Sequence, residues 1–123
     1  MEYSIGAFSK KTGISIHTLR YYEKEELITV GRKSNGRRYY TDSDIAWIDF
    51  IKRLKETNMP IKEIRTYAFL RAQGAHTLKA RLDLLNKHRL ELVRDICEKN
   101  ENLSMLDDKI DYYNHEIAKQ MTD

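Results

Sequence analysis

The chain has 123 residues, 41% of them hydrophobic and 33% charged, with one cysteine and a net charge of +3 at neutral pH. That length holds one domain, or a small domain with an extension. A lone Cys97 excludes an internal disulfide and a multi-thiolate metal centre, and no apolar run approaches the ~18 residues of a membrane span or resembles a signal peptide. The expectation is a cytoplasmic protein with no cofactor and no metal.

In chain order, Tyr3 to Thr12 reads as a short helix that Ser4 can cap, with Ile5 and Phe8 on one face. Lys11-Thr12-Gly13 stops it, because Gly13 is free to take the left-handed conformation. Ser15 then caps a second helix whose inward residues are Ile16, Leu19 and Tyr22. Two short helices across a glycine turn form a helix-turn-helix pattern, although such a pair standing alone is equally a plain helical hairpin. Leu27-Ile28-Thr29-Val30 is β-prone, Gly31 to Arg38 is a basic, turn-rich loop, and Tyr39-Tyr40 is β-prone again. This reads as a hairpin wing whose tip carries Arg32, Lys33, Arg37 and Arg38, a set suited to a phosphate backbone. Residues 1–40 hold eight basic against four acidic side chains, residues 41–76 six against five, and residues 77–123 eight against ten. The positive charge therefore lies where a polyanion would bind.

Thr41 opens the next helix, with Asp44 three residues on as a capping partner, and Ile45, Trp47, Ile48, Ile51 and Leu54 supply its apolar stripe. Asn58 suits a left-handed cap, Pro60 starts a further helix with Ile61, Ile64, Tyr67 and Ala68 inward, and Gly74 ends it. The remaining 49 residues contain neither Gly nor Pro. Leu78, Leu82, Leu85, Arg89, Leu92, Ile96, Lys99, Leu103, Leu106, Ile110, Tyr113 and Ile117 step by four and three, a heptad seam with Arg89 and Lys99 as its polar members. A core this small has no surface of its own to cover such a seam, which predicts a homodimer. The predicted fold is mainly α: a winged helix-turn-helix DNA-binding domain over residues 1–75, then a coiled-coil dimerisation helix over residues 76–123. The dimer residues are Leu78, Leu82, Leu85, Leu92, Ile96, Leu103, Leu106, Ile110 and Tyr113.

These segments resemble the MerR family of bacterial transcription regulators. The resemblance is carried by Tyr3-Ser4-Ile5-Gly6, by Thr18-Leu19-Arg20-Tyr21-Tyr22-Glu23, by Gly36-Arg37-Arg38-Tyr39-Tyr40, and by Asp44-Ile45 and Met59-Pro60-Ile61-Lys62-Glu63-Ile64. It spans about the first 70 residues. Thr77-Leu78, Arg81-Leu82, Leu84-Leu85, His88 and Lys109-Ile110-Asp111-Tyr112-Tyr113 are similar to a short branch without a separate effector domain. Glu26 and Asn58 stand where the family usually has Gly. The resemblance implies a homodimer on double-stranded promoter DNA, bending and untwisting an inverted-repeat operator so that RNA polymerase can use the two promoter boxes.

On that reading the second helix enters the major groove with Ser15, His17, Thr18, Arg20 and Tyr21 outward. Arg20 contacts guanine or phosphate, His17 and Thr18 are candidate base readers, and Tyr21 is a phosphate contact. Arg37 and Arg38 grip phosphate, with Tyr39 or Tyr40 beside them; strand alternation lets only one ring face outward. Lys62, at a helix start, is a further phosphate candidate.

The signal is not specified. His76, His88 and His115 lack the spacing of a helical ligand pair, and Cys97 is more simply a packing residue than a redox sensor. A small-molecule effector near Trp47, Tyr67, Phe69, Tyr112 and Tyr113 is one reading, yet the core and the coiled-coil end need the same rings. Rival functions are an architectural DNA-bending or excision factor and a coiled-coil interaction protein. No nucleophile with its base, paired-carboxylate cleft or phosphate-binding glycine loop points to an enzyme.

Overall fold

The computed structural model describes residues 1–122. In order it holds strand β1 (Glu2–Tyr3), helices α1 (Ile5–Thr12) and α2 (Ile16–Lys24), strands β2 (Gly31–Arg32) and β3 (Arg38–Thr41), helices α3 (Asp42–Glu56) and α4 (Ile61–Gln73), a 3-10 turn (Ala75–Thr77) and helix α5 (Leu78–Thr122). The predicted architecture, a winged helix-turn-helix followed by one long helix, is the one observed. Two compact units meet inside α5, one ending at Leu84 and the other beginning at Leu85.

In the first unit, side-chain caps set the helix boundaries. The Ser4 hydroxyl accepts the Ala7 N–H at 3.2 Å and the Ser15 hydroxyl accepts the Thr18 N–H at 3.1 Å, each satisfying an orphan donor of a helix first turn. Gly13 closes α1 at φ 74°. The turn between the two helices is stitched by buried and half-buried polar groups. The Thr12 hydroxyl donates to the Phe8 carbonyl at 2.9 Å and accepts the Ile14 N–H at 3.3 Å, while the Ser9 hydroxyl donates to the Ile14 carbonyl at 2.6 Å. From α3 the Lys52 ammonium donates to the Thr12 carbonyl, placing a cation at the negative end of α1.

Helices α2 and α3 end in the same motif. After α2, Leu27 N–H reaches the Tyr22 carbonyl at 2.9 Å and Glu26 N–H reaches Glu23 at 3.1 Å. After α3, Met59 N–H reaches Leu54 at 3.0 Å and Asn58 N–H reaches Lys55 at 3.0 Å. Both are Schellman caps, and the apolar residue that follows each, Leu27 or Met59, is buried in the core. The left-handed positions are Glu26 at φ 63° and Asn58 at φ 64°. Asn tolerates this conformation; the Glu26 side chain makes no hydrogen bond among the described residues, and its backbone bears a cost of about 1 kcal/mol. Arg65 of α4 holds the adjoining turn by donating to the Glu25 carbonyl at 3.0 Å and to the Glu25 carboxylate.

The sheet has order β1-β3-β2, all antiparallel, with Tyr3 opposite Tyr40 and Arg32 opposite Arg38. Two expectations change here. Glu2–Tyr3 is a strand, so α1 starts at Ile5. Leu27 to Val30 is not a strand either: Leu27 and Ile28 turn into the core, and the wing pairs only over Gly31–Arg32. Asp44 accepts from the Thr41 N–H at 2.9 Å, the capping contact anticipated for α3. The Tyr3 hydroxyl donates to Asp42 at 2.6 Å and ties β1 to the α3 start; this bond holds the Asp42 carboxyl below its usual range. Phe8, Leu19, Leu27, Tyr40, Ile48, Ile51 and Ile64 form the buried centre of this unit.

The second unit is the remainder of α5. Of the predicted seam, Ile96, Leu103, Leu106, Ile110, Tyr113 and Ile117 are each more than half exposed on the single chain, and Leu85 and Leu92 are half-buried. Cys97, beside the seam, is exposed as well.

Replacing Glu26 with Gly should raise unfolding stability by about 1 kcal/mol, because Gly adopts a left-handed cap without strain. Denaturant melts of the two proteins read this directly, and an unchanged midpoint would show that the Glu26 backbone carries no strain.

Candidate nucleic-acid interface

Helix α2 buries Leu19 and Tyr22 and leaves His17, Arg20, Tyr21 and Lys24 exposed. Their spacing of three, one and three residues places them on a single outward face. Ser15 and Thr18, at the leading end, share a 2.9 Å hydrogen bond between hydroxyls, and Ser15 also caps the helix. Thr18 is half-buried. Ile16, expected inward, is exposed, and Ile14 takes the core place. The reason is that Ser15 enters the helix from an extended conformation, which swings Ile14 toward the core and turns the first helical residue out.

The wing is built to hold its tip in one shape. Lys33 N–H donates to the Arg37 carbonyl at 2.8 Å, Gly36 N–H returns to the Lys33 carbonyl at 2.8 Å, and the Asn35 side chain accepts the Arg37 N–H at 3.0 Å. Gly36 takes φ 83°, a left-handed turn position that a side chain would strain. Arg32 spans the loop from below, donating to the Gly36 carbonyl at 3.2 Å.

The predicted wing residues then separate into two groups. Arg37 is exposed and makes no ion pair among the described residues, as expected of a group that grips phosphate. Tyr39 lies over the Gly31 backbone so closely that a Cβ there would sit 2.3 Å from the ring, which explains a small residue at that strand position. Tyr40 is 1% exposed and stacks on Phe8 at 4.3 Å with the rings nearly parallel. It is therefore a core residue and not a ring free to contact DNA, and Tyr39 is the less buried of the two. Its hydroxyl is buried without a hydrogen-bond partner among the described residues, and burial, then the nearby Glu23 charge, raise its pKa above the usual phenol value. Arg38 also departs from expectation. Its Nε is 2.7 Å from Glu23 Oε2, so the guanidinium is already engaged with a carboxylate on α2.

Between the wing and the start of α1 runs a cleft of about 530 Å³ lined by Ser4, Ile5, Gly36, Arg37 and Arg38. A narrower extension adds Glu2, Tyr3, Lys33 and Tyr39. The α1 start and the wing tip thus share one opening, which the sequence reading did not anticipate, because the two lie about thirty residues apart in the chain. Lys62 is exposed in the first turn of α4. Arg20, Lys24, Lys33, Arg37 and Lys62 form no ion pairs among the described residues. They supply unneutralised positive charge on this unit that a polyanion would meet.

The aromatic set divides differently from the sequence reading. Trp47 and Tyr67 stack at 5.7 Å, and Phe50, not singled out before, joins both at 6.2 and 5.5 Å. Arg71 lies over the Trp47 ring at 4.6 Å. Trp47 Nε1 donates to the Leu27 carbonyl at 2.8 Å, which gives the indole a structural role at the end of the α2 turn. Phe69 is 64% exposed, and Tyr112 and Tyr113 contact each other on the second unit.

Residues 3–68 match the family described as MerR HTH family regulatory protein. An uncharacterised HTH-type transcriptional regulator of Haemophilus influenzae is 35% identical over 92% of this chain and 84% of its own length. Among solved structures, HiNmlR, a MerR family regulator lacking the sensor domain and bound to promoter DNA, aligns with a TM-score of 0.79 at 34% identity, covering 96% of this chain and 94% of that one. A putative MerR family regulator from Listeria monocytogenes aligns with a TM-score of 0.88 at 38% identity, covering 96% and 91%. The helix-turn-helix, the wing and the long helix are thus shared with these proteins along nearly the whole chain, and the chain belongs to the MerR family of HTH-type transcriptional regulators.

Proposed function

We propose that the chain binds an inverted-repeat operator in a promoter as a homodimer and distorts it to control transcription by RNA polymerase. The observation that carries this reading is the pairing of an outward α2 face with a basic wing, in a chain that matches the promoter-bound HiNmlR over nearly all its length. Residues 1–75 serve DNA and residues 76–123 serve pairing. Support for pairing comes from the apolar seam of α5, whose exposed side chains have no reason to remain in water when a second copy can cover them. The relatives named above are transcriptional regulators, not enzymes.

Division of labour follows from exposure and charge. His17, Thr18 and Arg20 face the base edges, Ser15 and Tyr21 flank them, and Arg37, Lys33 and Lys62 contact phosphate. Tyr39 backs the wing rather than reading sequence. Two copies present two such faces, which matches an operator of two half-sites.

Replacing Arg37 with Ala should weaken binding to cognate and scrambled duplexes by the same factor, and should reduce the slope of log affinity against log salt by about 0.9, one phosphate contact's worth. By contrast, Arg20→Ala should cost about 1–3 kcal/mol on the cognate duplex and much less on the scrambled one. Anisotropy titrations at fixed salt compare the two variants; an equal loss on both duplexes for Arg20 would reassign it to phosphate.

Replacing Leu103 and Leu106 together with Glu should give a monomer by sedimentation without lowering the melting of the first unit. That monomer should lose tight binding to a two-half-site duplex. A dimer that persists with full affinity would refute the seam as the pairing surface.

A further inference from the structure

The basic wing and the recognition helix are joined by a carboxylate that no consideration of DNA contact assigns. Glu23 sits at the inner end of α2, half-buried, with Oε2 2.7 Å from Arg38 Nε and Oε1 3.4 Å from an Arg32 terminal nitrogen. Arg32 and Arg38 are opposite one another across the wing ladder, so one carboxylate holds both strands of the wing at the same rung. The Arg38 contact is an ion pair rather than an aligned hydrogen bond, since both atoms are buried and neither has a hydrogen-bond partner of good geometry. Arg32 is the more exposed of the two and also braces the wing tip through Gly36.

The geometry points to Glu23 as the positioning residue that fixes the wing relative to α2 and withholds Arg38 from DNA phosphate. A negative charge beside a DNA-binding surface is costly unless something else requires it. Here it neutralises part of the wing charge next to the helix that reads sequence, and leaves Arg37 and Lys33, at the tip, to meet phosphate. The consequence is a trade: affinity for any DNA is lower than the number of wing cations suggests, and the fixed wing angle favours the one duplex shape that fits both α2 and the tip. Registry of this kind is the best-attested use of a charge pair removed from water.

The inference rests on the DNA-binding reading above, and the wild-type titration tests that reading separately: no salt-dependent binding by wild type refutes DNA binding itself. Given wild-type binding, Glu23→Gln keeps the size of the side chain and removes its charge. It should raise affinity for a scrambled duplex several-fold, steepen the salt slope by about 0.9 as one guanidinium is released to phosphate, and lower the cognate-to-scrambled ratio. Arg38→Gln should lower that ratio too but leave the salt slope unchanged, since Arg38 is not on phosphate to begin with. The double variant should lose no more discrimination than either single one, because both act on one contact. Parallel loss of affinity on both duplexes for Glu23→Gln, or a salt slope that drops by about 0.9 for Arg38→Gln, would overturn the inference. Should Glu23→Gln melt below the assay temperature, the Arg38→Gln slope alone decides it.

Discussion

Helices of eight and nine residues do not persist alone in water, because nucleation costs more than so few backbone hydrogen bonds return. Everything in the first unit depends on making such helices stand at fixed positions. Side-chain caps at Ser4 and Ser15 satisfy their first-turn donors, a left-handed residue closes each of them, and the Phe8–Tyr40 stack and Leu19 bury the one face each can offer. Since the wing strand supplies Tyr40, the sheet is part of the core that holds the helix-turn-helix, not an appendage to it. This is why the wing has a defined pose relative to α2, and why a surface element can contribute to recognition.

The turn after α2 shows how such a design tolerates local strain. A Schellman cap wants Gly at its left-handed position, and Glu26 stands there at φ 63°. The cap forms nonetheless, because Leu27 is driven into the core, Trp47 donates to its carbonyl, and Arg65 clamps Glu25 on the other side. Burial of one leucine and these polar contacts outweigh a backbone cost of about 1 kcal/mol. The same three contacts tie α2 to α3 and α4, so the strained residue lies at the joint between the helix-turn-helix and the helices behind it.

Charge is distributed with similar economy. The unit has more basic groups than the interface uses freely: Arg65 is paired with Glu25, Arg38 and Arg32 with Glu23, and Lys52 with a helix end. Among the described residues, cations without an ion pair lie along the α2 face, at the wing tip and at the start of α4, with Lys10 and Lys11 at the end of α1. Net charge is a poor guide to such a surface; which cations are already satisfied within the fold decides what remains for a polyanion.

Sequence alone determined the features governed by near neighbours. Caps at Ser4, Ser15, Asn58 and Gly74, the stop at Gly13, and the exposed heptad seam of α5 follow from contacts within a few residues, where steric and hydrogen-bonding preferences are strong. The family motifs likewise located α2 and the wing. Tertiary structure decided whatever depended on partners far along the chain. Tyr39 and Tyr40 are chemically alike, and only the packing of β3 on Phe8 made one of them core. Arg37 and Arg38 are neighbours of equal charge, and only the placement of Glu23 fifteen residues earlier engaged one and left the other free. Leu27 and Ile28 have strand propensity, but the core claimed them first, which shortened the wing strand to two residues. Propensity acts residue by residue, whereas burial and ion pairing are settled among groups brought together from distant parts of the chain.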